Sequence, residues 1–286
     1  MEIVQKIYIC CCWKIYNMKE LLTRSLSGLL YVSILLLSIC INRYTFIGIF
    51  LVFGVIAIYE FQKLIYLRNK RLYVIFITLL AVLNIFQDKL YFYLILPVLT
   101  LTIITELFLV KDLVTIRIIP MFEKRKYHTS IFYLITSIVF LTLVPYYTGE
   151  YQPFIIAGAF LITWVNDTFA YLVGKNFGKH KLLERISPKK TIEGFVGGFI
   201  FSLLAGYLIA IFTNTLSIGI WLIISIIMSI FGTLGDLIQS KFKRQAGVKD
   251  SGTIMPGHGG IYDRLDSVIF ASPFLYAFLQ ILKHVS

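Results

Sequence analysis

The sequence predicts an all-α, polytopic membrane protein of about nine transmembrane helices, with its N-terminus in the cytoplasm. Three observations carry this expectation. The chain has 286 residues, of which 58% are hydrophobic and only 15% charged, whereas a soluble domain carries roughly a quarter charged residues. Apolar runs close to the roughly 20 residues needed to cross hydrocarbon recur along the chain. The Lys and Arg residues also alternate between the loops that these runs define, as the positive-inside rule requires.

In order, the apolar runs fall near 26–42, 45–62, 72–87, 90–110, 129–147, 153–173, 194–213, 216–238 and 267–283. The segment before the first holds Lys6, Lys14, Lys19 and Arg24. The loop after the second holds Lys63, Arg68, Lys70 and Arg71, and the loop after the fourth holds Lys111, Arg117, Lys124, Arg125 and Lys126. After the sixth come Lys175, Lys179, Lys181, Arg185, Lys189 and Lys190; after the eighth come Lys241, Lys243, Arg244, Lys249 and Arg264. The opposite side receives Arg43, Lys89 and Lys283, 3 of the 27 basic residues. A missed or false span would scramble this alternation, so the split supports both the count and an external C-terminus. The net charge of +12 is thus gathered on one membrane face, where it attracts anionic lipid headgroups and gives no reason to expect nucleic acid.

Cys10, Cys11, Cys12 and Cys40 offer neither a comfortable disulfide nor metal-ligand spacing. Residues 1–17 lack a secretory signal pattern. Met18-Lys19-Glu20, leading into a basic turn and the first run, looks like a more natural start, so 1–17 reads as a dispensable extension. Residues 18–150, with short basic loops, read as a scaffold. From 151 onward, polar residues enter the spans and the loops gain glycine, which places the chemistry in 151–286.

The sixth run carries Asn166-Asp167-Thr168 toward its end. Entering near Pro153, Asp167 lies about 14 residues in, roughly 20 Å at 1.5 Å per residue. That depth is inside the membrane but displaced toward the cytoplasm. An ionisable residue there is costly and marks a functional candidate, the bland alternative being a helix–helix hydrogen bond. The next loop, Gly174 to Gly194, mixes Lys and Gly, including Lys189 and Lys190. Lysine supplies charge for phosphate and glycine permits close backbone approach, although the Walker order is absent and an inside-positive anchor would look similar. Ser187-Pro188 suits a turn, and Thr191 suits a cap on the seventh span.

The densest polar stretch is 240–266. Asp236, just before it, is flanked by small residues. Asp263 and Asp266, spaced i,i+3, share one face if the ninth helix begins there. Together the three carboxylates make an oxygen-rich site suited to Mg²⁺, and without a metal they would repel one another. The competing reading is that Asp263 caps the helix while Asp266 pairs with Arg264 or a Lys. His258, between glycines, suits a proton donor or phosphate ligand, with a structural role as the alternative.

Ser240-x-x-Lys243-Arg244-x4-Lys249-Asp250-x-Gly252, followed by Pro256-Gly257-His258-Gly259-Gly260-x-x-Asp263-Arg264-x-Asp266, resembles the signature of the phosphatidate cytidylyltransferases. More than a dozen positions match over 27 residues. Asn166-Asp167-Thr168-x-Ala170-Tyr171, Gly174–Lys181, Ser187-Pro188-Lys189-Lys190-Thr191-x-Glu193-Gly194 and Gly235-Asp236 are similar to the family's other cytoplasm-facing motifs. The likeness is strongest over about 150–270; the first 130 residues match only as apolar spans with basic loops. The resemblance implies that CTP and phosphatidate react to CDP-diacylglycerol and pyrophosphate at the cytoplasmic face of the cell (inner) membrane. It also implies Mg²⁺, alone or with a monovalent cation such as K⁺, and makes a homodimer an expectation without identifying an interface.

On that reading Asp236, Asp263 and Asp266 hold the metal. Lys243, Arg244, Lys249 and Arg264 contact the triphosphate or lipid phosphate, and His258 supports the leaving group. Gly257, Gly259 and Gly260 let backbone approach phosphate oxygens, while Asn166, Asp167, Lys189, Lys190, Ser240 and Asp250 line the substrate site. The chemistry suits these residues. A phosphomonoester's second pKa is about 6, so the nucleophile is already ionised and needs charge neutralisation more than a base. Two competitors stay open: a CTP-dependent lipid-alcohol kinase, which would release CDP, and a transporter. Against the transporter, the polar motifs gather at one face and the outward loops carry almost no charge.

Overall fold

The structure is a computed structural model that describes residue 23 and residues 25–86, 91–114, 125–257 and 259–285. In chain order its apolar helices are α1 (Ser25–Ile41), α2 (Arg43–Leu64), α3 (Arg71–Ile85), α4 (Tyr93–Val114), α5 (Lys126–Tyr146), α6 (Pro153–Phe177), α7 (Ile192–Thr213), α8 (Ile218–Gln245) and α9 (Tyr262–His284). Among the described residues each expected run is mainly helical, but α8 continues past 238 to Gln245 and α9 starts at Tyr262, ahead of 267, so Lys241, Lys243, Arg244 and Arg264 lie on helices and not in a loop. Among the described residues seven of these helices are long and apolar enough to cross a membrane, while α1 and α3 are shorter. Residues 1–17 lie outside the described residues.

Local chemistry sets the boundaries. Asn42 and Thr45 form a capping box at the start of α2, the Asn42 side chain accepting from the Thr45 N–H at 2.9 Å; such reciprocal bonds satisfy donors that the first helical turn leaves free. Pro153 occupies the first turn of α6, where its missing N–H costs nothing. Ser217 caps α8, and Thr191 caps α7 by accepting from the Gly194 N–H at 3.1 Å.

The middle of the bundle belongs to α5 and α9. Of their membrane-length segments 89% and 72% are buried, against 33–44% for the other five. Aromatic rings knit the centre: Phe61 of α2 lies 5.4 Å from Phe242 of α8 and 5.7 Å from Tyr262 of α9, and the hydroxyls of Tyr133 and Tyr262 hydrogen-bond at 2.7 Å. The start of α9 is thus locked against α2, α5 and α8. Outward faces carry exposed Ile200, Leu204 and Leu208 on α7, as a lipid-facing helix should.

Helices α6 and α7 approach through small residues, the device that lets membrane helices pack backbone to backbone. A Cβ on Gly197 would lie 2.6 Å from Val173, and one on Gly198 would lie 2.6 Å from the Asn166 carbonyl.

One expectation is corrected between α6 and α7. Ser187-Pro188 does not open a turn: Lys181–Leu183 (β1) and Ser187–Thr191 (β2) form an antiparallel hairpin with Leu183 opposite Ser187. The turn is made by residues 184–186 instead. Pro188 is compatible with an edge strand of a two-stranded ribbon because an edge leaves N–H groups unpaired.

Candidate active site

The polar motifs converge where the C-terminal ends of α2 and α8, the start of α9 and the β1–β2 hairpin meet. On α8, Asp236, Gln239 or Ser240, and Lys243 recur at helical spacing and so face the same way. Gly235 brings the next helix close to this face, since a Cβ there would lie 2.6 Å from that of Phe270 and 2.8 Å from the Asp266 carbonyl. A larger residue at 235 would push α9, and Asp266 with it, away from Asp236.

Asp236 is partly buried. Its Oδ2 pairs with Lys190 Nζ at 2.5 Å, and its Oδ1 accepts from Ser240 Oγ at 3.2 Å. Lys190 comes from the hairpin, so the strand Ser187–Thr191 is what delivers this cation. Asp266 is 8% exposed and accepts from the N–H of Ser267 at 2.8 Å. The carboxylates of Asp167, Asp236 and Asp266 are near enough to repel one another, while Lys190, Lys243 and Arg264 lie within attractive range of the cluster.

Asp263 is the most heavily bonded acid. Its Oδ1 accepts from Lys243 Nζ at 2.9 Å and from Gln239 Nε2 at 3.2 Å. Its Oδ2 accepts from the Ser251 N–H, Ser251 Oγ and the Gly260 N–H, all at 2.8–2.9 Å. Gly260 precedes α9, so this bond ties Asp263 back to the loop and does not cap the helix; the N–H of the first helical residue, Tyr262, goes to Glu60 of α2 at 2.8 Å. Gly259 sits at φ +89, a conformation that favours glycine, with Asp263 Oδ2 only 2.8 Å from where its Cβ would be. Gly257 has φ +75.

Other expected residues lie at varied distances from this centre. Asn166 is buried and accepts from Ser229 Oγ at 2.6 Å, tying α6 to α8 beside Asp167, whose own side chain is exposed. Arg244 turns to the hairpin, its Nε donating to the Ile186 carbonyl at 3.4 Å. Lys189, Lys249, Asp250 and Arg264 are exposed at the rim. His258 lies outside the described residues.

Several participants escaped the sequence reading. Gln239 and Ser251 are buried partners of Asp263. Glu60 of α2 is 1% exposed; it accepts from the N–H groups of Ile261 at 3.2 Å and Tyr262 at 2.8 Å, and from Ser251 Oγ at 3.2 Å. The one signal for Glu60 was an acid set among Ile58, Tyr59 and Phe61, inside what read as scaffold. Its partners are some 200 residues away in sequence, so no local pattern connects them.

The donor set fits a hard cation through displacement. Among the described residues no group of three or more His, Cys, Asp or Glu side chains is arranged as a metal cage. Yet Asp236 Oδ2 and Asp263 Oδ1 each already hold an ammonium group, and carboxylate oxygens are the ligands Mg²⁺ prefers. Lys190 and Lys243 therefore neutralise two of the carboxylates that would hold such a cation. Asp263 has only Oδ1 to give, in exchange for Lys243, because Oδ2 organises the loop.

Residues 22–282 match the family described as Cytidylyltransferase family. The chain is 57% identical over 119 residues to a phosphatidate cytidylyltransferase of Staphylococcus saprophyticus, a stretch covering 41% of this chain and 45% of that protein. It is 56% identical over 118 residues to one of Staphylococcus haemolyticus and 54% over 119 to one of Staphylococcus aureus strain COL, with the same coverage. The chain thus spans a little under half the length of these relatives.

Proposed function

The chain belongs to the cytidylyltransferase family, and we propose that it transfers the CMP moiety of CTP to phosphatidate, releasing pyrophosphate and forming CDP-diacylglycerol for phospholipid synthesis. The observation that carries this reading is the union of acids and cations at one end of an apolar helix bundle, with Lys190 on Asp236 and Lys243 on Asp263. Such a cluster suits a reaction in which one polyanion must approach another. An oxygen of the lipid phosphate attacks the α-phosphorus of CTP, and the bond to the departing pyrophosphate breaks on the opposite side. The nucleophile is ionised near neutral pH, so the residues act by position and charge.

In this scheme Lys190, Lys243 and Arg264 neutralise the phosphates, with Arg244, Lys249 and Lys189 extending the basic rim. Ser240 and Asn166 hold Asp236 and Asp167 in place, Asp250 supports the glycine turn, and His258 serves the leaving group. Asp236, Asp263 and Asp266 would hold Mg²⁺, which when bound would supply positive charge to the triphosphate. Lys190 and Lys243, now on Asp236 and Asp263, would be near enough to meet substrate oxygens as well. The acyl chains stay in the bilayer beside the helices. We further assign nine crossings to α1–α9, a cytoplasmic N-terminus, and a site that faces the cytoplasm of the cell membrane.

The test is pyrophosphate release by detergent-solubilised protein given CTP, phosphatidate and Mg²⁺, with Asp266→Asn alongside. Release that requires phosphatidate and falls at least ~10²-fold in the variant is expected. CDP appearing without pyrophosphate, or no turnover by folded wild-type protein, would overturn the reading.

A further inference from the structure

Glu60 has no place in the chemistry above, yet it is one of the most constrained acids among the described residues. It is 1% exposed and receives three hydrogen bonds, from Ser251 Oγ and the N–H groups of Ile261 and Tyr262. These partners come from the loop that joins α8 to α9 and from the first residue of α9. Burying a carboxylate is costly unless hydrogen bonds and charge compensate. Here the compensation is the positive end of α9, whose first N–H groups have no partners within the helix.

The surrounding sequence is shaped around this side chain. A Cβ on Gly252 would collide with Glu60 Oε1, and one on Gly260 would collide with both Glu60 oxygens and with Ser251 Oγ. These glycines therefore make room for a carboxylate of the protein itself. At Gly260 this replaces the expected approach of a substrate phosphate.

Glu60 and Asp263 also divide the loop between them. Gly260 N–H goes to Asp263, the next two N–H groups go to Glu60, and Ser251 Oγ donates to both acids at 2.9 and 3.2 Å. The single Ser251 hydroxyl proton is shared between the two carboxylates, closer to Asp263 Oδ2, and so couples their positions. The start of α9 carries Asp263, Arg264 and Asp266, so whatever fixes that turn fixes their relation to Lys243 and Asp236.

We propose that Glu60 is a positioning residue for CMP transfer: it fixes the 251–262 loop and the first turn of α9, and acts through Asp263 and Asp266 without touching substrate. This rests on the cytidylyltransferase reading, and the geometry it invokes is measurable without turnover.

The experiment uses the full-length protein in detergent, as wild type, Glu60→Gln, Ser251→Ala and the double variant. Gln keeps the shape but turns an N–H₂ group toward backbone donors. Pyrophosphate release is measured with CTP and phosphatidate varied in turn, and trypsin cleavage after Lys249 is compared with cleavage after Lys189 in the hairpin. Glu60→Gln should lower kcat ~10²-fold, the scale of a misplacement of about 1 Å, while both KM values stay within about threefold. Cleavage after Lys249 should speed up with cleavage after Lys189 unchanged. Ser251→Ala should lower kcat by about tenfold, and the double variant should lose less than the product of the two effects.

A wild-type kcat in Glu60→Gln, or accelerated cleavage at both sites in step with lost activity, would overturn the proposal; the second result would mean general unfolding. If Glu60→Gln does not fold, Ser251→Ala decides alone by the same two readouts. If wild type releases no pyrophosphate, the transfer reading fails, and selective cleavage after Lys249 then reports separately on whether Glu60 holds the loop.

Discussion

Lys190 shows how a single side chain can both join two segments and set the charge of the acidic cluster. Its ammonium lies 2.5 Å from Asp236 Oδ2, so it neutralises an acid that sits beside Asp266 and Asp167. Replacing it with Met removes the charge but keeps the length of the stem. Lys190→Met should lower kcat/KM for CTP by ~10²-fold, the usual scale for losing one charge-stabilising donor. The same substitution leaves Asp236 without its cation, so half-saturation should need less Mg²⁺ if ammonium and metal compete for that oxygen. Steady-state kinetics at varied CTP and Mg²⁺ check both outcomes; an unchanged Mg²⁺ requirement would count against displacement. The residue scale also explains Gly260. A glycine in a polar loop invites a phosphate-binding interpretation, but the space beside this one is filled by Glu60 and Ser251.

At the scale of elements, the hairpin and the start of α7 act as one unit. Thr191 ends β2 and caps α7, and its hydroxyl also lies beside the spaces that side chains at Gly174 and Gly178 would need. Lys190, one residue earlier, therefore inherits its direction from that cap. Thr191→Val keeps the volume and removes the acceptor, which should cost ~1 kcal/mol of stability and lower the thermal midpoint. Activity should fall further than this loss implies, by several-fold, because the strand carrying Lys190 loses its anchor. Thermal unfolding and pyrophosphate release on the same preparation separate the two effects. The run of strand residues was not legible as such: Ser187-Pro188 is a common turn signal, and a short ribbon pairs through backbone groups that side-chain patterning does not reveal.

At the scale of the molecule, the alternation of basic loops, 24 residues against 3, predicts an orientation that can be read directly. With the four cysteines replaced by serine, Lys179→Cys just before β1 and Glu150→Cys in the α5–α6 loop provide two exposed reporters. In sealed right-side-out vesicles an impermeant maleimide should label position 150 and spare position 179, and inverted vesicles should reverse the pattern. Labelling of both from one side would refute the assignment, since α6 would not separate the two loops. The predicted arrangement would keep the basic end of the bundle in the cytoplasm.

The sequence by itself determined the apolar helices and their order, the charge asymmetry between loops, and the gathering of acids and cations around 236–266. These are local or cumulative properties: hydropathy over a span, a cap at a helix start, a dense run of polar residues. The family resemblance was legible for the same reason, because its signature is contiguous. Tertiary structure alone decided that Lys190 meets Asp236, that Asp263 divides its oxygens between Lys243 and the loop, and that Glu60 of the second helix holds the start of the ninth. Each of these contacts joins segments distant in the chain, and a buried carboxylate finds its donors through packing, which no single stretch of sequence records.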